Sequence, residues 1–160
     1  MITDSYDVQT QAIISPADMG LVHQQLCDVC IVTFSKVIYE HVLAAFPCEQ
    51  VAEIGACNGN IPLYTFAHRG HTFGFYLSSI GSALAATDVI EANWLIGATT
   101  FVMFGSAGSL DRAATEGKYV IPTKAYRDEG MSYHYAPAAD YVEIPNAPAV
   151  ARLFERRGVP

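Results

Sequence analysis

The chain has 160 residues, 51% of them apolar, with a mean hydropathy of +0.22: enough apolar material for a sizeable core, and too much for a disordered chain. Its net charge of −7 and pI near 5.0, with Arg156-Arg157 as the only adjacent basic pair, exclude a nucleic-acid or anionic-membrane surface, which needs clustered Lys and Arg. No apolar run reaches the roughly 18 residues of a membrane-spanning helix, and Met1 to Asp18 has neither the basic start nor the apolar core of a signal peptide, so the expectation is one cytoplasmic domain with no membrane partner.

Residues 1–20 are polar and read as an irregular arm, with Ser15-Pro16-Ala17-Asp18 as a turn or helix start. Cys27 and Cys30 form a C-x-x-C, but Cys48 and Cys57 do not make a second pair at zinc-ribbon spacing; a buried, reduced, structural role is favoured over redox or metal chemistry. Val29 to Phe34 reads as a short buried strand. Ser35 is a good N-cap for a helix over Lys36 to Phe46, where Val37, Ile38, Val42, Leu43 and Phe46 recur at helical spacing and Pro47 ends the run.

Three strands are predicted next, Gln50 to Ala56, Ile61 to His68 and Thr72 to Ser78. Asn58-Gly59-Asn60 between the first two is a hairpin signal, and Arg69-Gly70-His71 is a tight turn. Gly81 to Ile96 reads as a helix with a slim face of Gly81, Ser82, Ala85 and Ala86, closed by Gly97. Thr99 to Phe104 is predicted as a buried strand and Lys118 to Tyr126 as another, with Pro122 marking an edge or a strand end. Asn146 to Arg157 is a terminal helix with Val150, Leu153 and Phe154 apolar. There are no internal repeats or linkers, so 1–160 reads as a single domain.

Three constellations carry chemistry. Gly105-Ser106-Ala107-Gly108-Ser109 follows a strand, and such a turn exposes successive backbone N–H groups to a ligand; it fits neither the Walker nor the dinucleotide spacing, and a plain connection explains it equally well. Ser78-Ser79-Ile80-Gly81-Ser82 precedes a helix, whose free N–H groups suit phosphate, although Ser79 or Ser82 as a simple cap is the plainer reading. Arg127-Asp128-Glu129-Gly130 with His134 and Tyr135 gathers charge where the chain leaves a strand. Arg127 is a candidate clamp for an anion or a base carbonyl, and Glu129 or His134 a candidate proton carrier, against a solvated loop with Arg127 paired to a carboxylate. Glu91, mid-helix, reads as solvated or locally paired. His23, His41, His68 and His71 have no metal-ligand spacing, and no metal site is assigned.

Together these pieces resemble the N-terminal part of the nucleoside phosphorylase family, which includes uridine phosphorylases, bacterial hexameric purine nucleoside phosphorylases and methylthioadenosine nucleosidases. The likeness rests on Ser79-Ile80-Gly81-Ser82 before the helix carrying Glu91, on Phe104-Gly105-Ser106-Ala107-Gly108, and on Gly117-Lys118-Tyr119-Val120-Ile121-Pro122 leading into Arg127 to Pro137. It runs from Cys30 to Gly158 in the family's order. The resemblance implies an α/β fold, a twisted mixed sheet flanked by helices and apparently truncated. It also implies cleavage of a nucleoside's N-glycosidic bond by inorganic phosphate as co-substrate, with no other cofactor. The protein's part is then to position the reactants and to stabilise developing charge.

Carried over by motif, Ser79, Gly81 and Ser106 fall on phosphate and ribose; Ala107, Gly108, Arg127, Glu129, His134 and Tyr141 fall on the base or substrate, Tyr141 being offset from the family's stacking aromatic. No catalytic residue is assigned. The uridine branch is favoured because Arg127 to Pro137 looks most like it. The family implies dimers or hexamers, and a hetero-oligomer with a longer homologue is the other arrangement.

Two departures stand against this pattern. Where the family carries Gly-Asp-Pro-x-Arg after its first strand this chain has Thr33-Phe34-Ser35-Lys36, and the arginine before the Gly105 turn is Met103. Each lost charge-assisted bond is worth roughly 1.5 to 3 kcal/mol. Lys36 or Arg127 is the candidate substitute, and water the alternative nucleophile. Secondly, the chain stops at Pro160, before the family's ribose-binding acidic segment and its purine-protonating acid. This leaves three expectations open: a phosphorylase, a hydrolytic nucleosidase, or a non-catalytic nucleoside-binding or partner subunit; an unstable fragment of a longer gene is a further reading.

Overall fold

The fold is taken from a computed structural model, which describes residues 7, 9–56 and 59–159. Two compact units are distinguished, Gln11–Ser106 and a C-terminal unit that begins at Ala107.

Residues Gln11–Ser106 build a five-stranded mixed sheet flanked by helices. Its elements are β1 (Val29–Thr33), α1 (Lys36–Ala45), β2 (Glu49–Ile54), β3 (Ile61–His68), β4 (His71–Leu77), α2 (Ser82–Ile96) and β5 (Thr100–Phe104). The strand order is β2-β3-β4-β1-β5. β1 runs parallel to both β4 and β5, while β2, β3 and β4 form an antiparallel meander.

Local chemistry explains most of these elements. Ser35 sits in extended backbone and its hydroxyl accepts from the Ile38 N–H, so the predicted cap starts α1, and the helix ends at Phe46, just before Pro47. Arg69 and Gly70 both adopt positive φ, 51° and 80°, which lets two residues turn β3 into β4 with the strand twist preserved. The β2–β3 hairpin signal falls partly outside the described residues, as do Asn58 and Cys57. Ser15 to Asp18 is a turn, in which the Asp18 carboxylate accepts from the Ser15 N–H and hydroxyl at 2.8 and 2.6 Å.

Opposite faces of the sheet receive the two helices. On one, Tyr39 of α1 stacks on Phe75 at 5.7 Å and Phe46 packs on Phe66 at 4.8 Å. On the other, Ala92, Leu95 and Ile96 of α2 close over Cys30, Val32, Ile54, Leu63 and Tyr76, which is the main core. Gly74 makes that approach possible, since a Cβ there would come within 2.4 Å of Ile96 Cδ1 and also crowd the Cys27 and Cys30 sulfurs. Both cysteines are buried free thiols, and burial pushes their pKa values up, which favours the inert thiol form.

Gly97 ends α2 in the left-handed region (φ 74°), as predicted, and a Cβ there would collide with Gln25 and the Gln24 carbonyl. Residues 21–27 lie along this helix end, where the Trp94 indole donates to the Leu21 carbonyl at 2.9 Å.

Two strand expectations are corrected. β5 is an exposed edge rather than a buried strand: among the described residues it pairs with β1 alone, and Val102, Met103 and Phe104 are each nearly half exposed. Of Lys118 to Tyr126, only Lys124–Tyr126 is a strand, here β6. The residues before it, Pro122 among them, form no ladder, which accords with a proline's missing donor.

In the C-terminal unit, β6 pairs antiparallel with β7 (Tyr141–Glu143). A one-turn helix α3 (Arg112–Thr115), capped by the Asp111 carboxylate, and a 3₁₀ turn (Met131–His134) were not expected from the sequence. The terminal helix α4 (Ala147–Arg156) was, although its apolar Val150 and Leu153 are exposed. No helix among the described residues is long and apolar enough to cross a membrane.

Candidate functional site

The parallel trio β4-β1-β5 sets the geometry. Thr33 stands level with Leu77 on one side and with Phe104 on the other, so the three strands end together at their C-terminal edge. Neighbouring strands lie about 4.8 Å apart, which puts the ends of β4 and β5 roughly 10 Å from each other with β1 between them. The connections 34–35, 78–81 and 105–106 therefore leave side by side, and a ligand crevice in parallel α/β sheets forms at such an edge. Ser79, Gly81 and Ser106 are brought to this edge, Ser79 half-buried and the other two exposed.

Hydrogen bonds fix the second of these connections, 78–81. The Ser78 N–H donates to the Thr33 carbonyl at 2.9 Å, tying β4's exit to β1. The Ser79 N–H donates to Asp88 Oδ2, also at 2.9 Å, and the Ser78 hydroxyl donates to the Ser79 carbonyl. Neither Ser79 nor Ser82 caps α2, contrary to the plainer expectation. The N-cap is Gly81 at φ 110°, a conformation side chains rarely adopt, and it offers no side-chain bond to the first-turn N–H groups.

The rest of the edge is weakly charged. Met103 on β5 is neutral and 46% exposed. Lys36 opens α1 with an exposed ion pair to Glu40 at 3.7 Å, a contact worth little in water.

Ala107, Gly108, Arg127, Glu129, His134 and Tyr141 all belong to the C-terminal unit. Arg127 is not solvated there: it is 6% exposed, with its guanidinium 4.0 Å over the Tyr133 ring. Its Nε donates to the Ser132 hydroxyl at 2.8 Å, Nη2 to the Ala136 carbonyl at 3.0 Å and Nη1 to the Pro137 carbonyl. Glu129 accepts from the Ser132 N–H at 3.0 Å and from the Ser132 hydroxyl, so Ser132 relays between arginine and carboxylate. Arg127 and Glu129 are thus brought together as the frame of the loop 127–140, reinforced by the Arg127 N–H bonded to the Asp140 carbonyl.

His134 is exposed at the end of the 3₁₀ turn, and the exposed Tyr141 on β7 carries Lys124 Nζ 4.2 Å above its ring and Tyr126 edge-on at 5.4 Å. Ala107 and Gly108 are exposed, without regular structure.

Two buried acids on α2 alter the sequence reading. Glu91 is not solvated; it is 5% exposed and accepts the Gly55 N–H at 2.8 Å. Asp88, unassigned from the sequence, is 2% exposed. Their separation by three residues on an otherwise uncharged helix was the available signal for a shared buried face. Among the described residues no cluster of three or more His, Cys, Asp or Glu could hold a metal.

No curated protein sequence matches the chain. Among solved structures it is similar to uridine phosphorylase from Vibrio fischeri, at 22% identity and a TM-score of 0.70, covering 94% of this chain and 62% of that one. It is also similar to purine nucleoside phosphorylase from Toxoplasma gondii, at 18% identity and a TM-score of 0.65 over 94% of this chain and 60% of that one. A third similar structure is the Helicobacter pylori MTAN, at 14% identity and a TM-score of 0.62, covering 82% and 62% respectively. At these identities the likeness is one of fold, and the chain spans about three-fifths of their length. The phosphorylase superfamily profile matches residues 28–157, which takes in the whole sheet and the Arg127 loop. This chain, with its level β4-β1-β5 edge and the loops that leave it, belongs to the phosphorylase superfamily.

Proposed function

We propose that the chain supplies the strand-edge part of a nucleoside-cleaving site, in which inorganic phosphate attacks the sugar C1′ and releases the free base with a pentose 1-phosphate. The observation that carries this reading is the common C-terminal edge of β4, β1 and β5, from which Ser79-Ile80-Gly81-Ser82 and Gly105-Ser106 leave together in a member of the phosphorylase superfamily. Ser79, Gly81 and Ser106 are assigned to phosphate and ribose. Ala107, Gly108, Glu129, His134 and Tyr141 are assigned to base or substrate, with Arg127 acting through the loop that its guanidinium frames. Uridine is the preferred substrate, on the likeness of Arg127 to Pro137 to the uridine branch. The setting is a cytoplasmic oligomer, either of this chain or with a longer homologue.

Hydrolysis is the second reading, and one observation favours it. Met103 and the Phe34-Ser35 exit present no guanidinium at the sheet edge, and a neutral water needs no cationic clamp. Incubation with a nucleoside panel, with and without phosphate, separates the two. Phosphate-dependent release of uracil supports phosphorolysis, and release independent of phosphate supports hydrolysis. Absence of free base in both arms at high protein concentration overturns catalysis by this chain; thermal stabilisation by uridine without turnover then marks a binding subunit.

A further inference from the structure

Asp88 lies in the second turn of α2, and none of the proposed chemistry uses it. It is 2% exposed, and a buried carboxylate is costly unless it is hydrogen-bonded. Its Oδ2 takes the Ser79 N–H at 2.9 Å, a contact that reaches back nine residues from the helix body to the loop before it.

Besides that bond, the loop is held by the Ser78 hydroxyl on the Ser79 carbonyl at 3.0 Å and by the Ala85 N–H on the Gly81 carbonyl at 2.9 Å. Ile80 is 83% exposed, and Gly81 holds φ 110° with no atom within 4 Å of where a Cβ would stand. The α2 N-cap has no side-chain bond. The Ser78 N–H bond to Thr33 fixes the entry to the loop, and the Asp88 bond fixes the next residue.

We infer that Asp88 is a positioning residue for ligand binding: by holding the Ser79 N–H it sets the path of Ser79 to Gly81, and with it the direction of the first N–H groups of α2. This rests on the nucleoside reading given above. It carries a chemical consequence, because the Ser79 amide is already taken by a carboxylate. Ser79 then meets a ligand through its hydroxyl, and Gly81 and Ser82 through backbone.

The test uses the full chain with Asp88→Ala and Asp88→Asn. Residue-resolved amide hydrogen exchange is read alongside calorimetric binding of uridine and of inorganic phosphate. In the unaltered protein the Ser79 amide should exchange more slowly than those of Ile80 and Gly81, which needs no variant. Asp88→Ala should speed Ser79 exchange and weaken ligand binding by about tenfold each, the effect of losing one bond to a charged group, with β1 and β3 unchanged. Asp88→Asn keeps an acceptor oxygen and should stay within about threefold on both measures. A Ser79 amide that is unprotected in the unaltered protein, or Ala-variant binding that stays unchanged while exchange rises, overturns the positioning role. Binding of neither ligand by the unaltered protein overturns the nucleoside reading instead, while the exchange comparison still decides whether Asp88 anchors the loop.

Discussion

Glu91 and Arg127 are both buried charges, 5% and 6% exposed, and both bond to backbone, Arg127 being linked as well through the Ser132 hydroxyl to the Glu129 carboxylate. Glu91 takes one N–H, that of Gly55, just past the end of β2 in a sheet already held by its own ladders. Arg127 supplies three donors, to the Ser132 hydroxyl and the Ala136 and Pro137 carbonyls, in a loop whose regular structure is the single 3₁₀ turn Met131–His134. The difference teaches that the same device has different weight according to what else holds the backbone. It also separates these buried charges from Ser106, His134 and Tyr141, which are exposed.

The largest effect is expected at Arg127. Arg127→Ala removes three bonds from a buried charged donor, which should destabilise the C-terminal unit by about 3 to 5 kcal/mol. Chemical denaturation and proteolysis within residues 127–140 would register it. Arg127→Lys should not restore it, because a point ammonium cannot span three acceptors. A lysine variant as stable as the parent would remove the distinction drawn here.

Glu91→Ala should cost less, about 2 kcal/mol, for one charged bond lost in a sheet that stays otherwise paired. Its measure is the denaturation midpoint at constant slope, and a loss equal to that of Arg127→Ala would equalise the two sites. The smallest and opposite effect is expected at Tyr76, whose buried hydroxyl has no partner among the described residues. Tyr76→Phe should raise stability by about 1 kcal/mol, since a buried unsatisfied donor is removed at little cost in shape. A lowered melting temperature would reveal that the hydroxyl is bonded after all, through water or ligand.

Legibility in the sequence followed the range of the interactions. The span Ile61–His68, the Ser35 cap and the Arg69-Gly70 turn depend on neighbours within a few residues, and the expected and observed elements agree there. The exposed β5 was misread because an apolar run of six residues says nothing about how many partners it has. The pairing of Arg127 through Ser132 with Glu129 was nearly local, yet the carbonyls of Ala136 and Pro137, which complete it, depend on how the loop returns. Glu91 reads from the sequence as solvated or locally paired and Asp88 draws no assignment, because their backbone partners at Gly55 and Ser79 come from different loops.

The sequence by itself determined most local elements of Gln11–Ser106, the acidic composition without a long apolar run, and the superfamily, because caps, turns and hydrophobic period are written in adjacent residues and the motifs keep their order. Only the tertiary structure decided which strand is an edge, that β4, β1 and β5 end level, and that Asp88, Glu91 and Arg127 hold backbone. Those properties depend on what the folded chain brings against each residue. A charge removed from water must find its partner wherever the fold provides one.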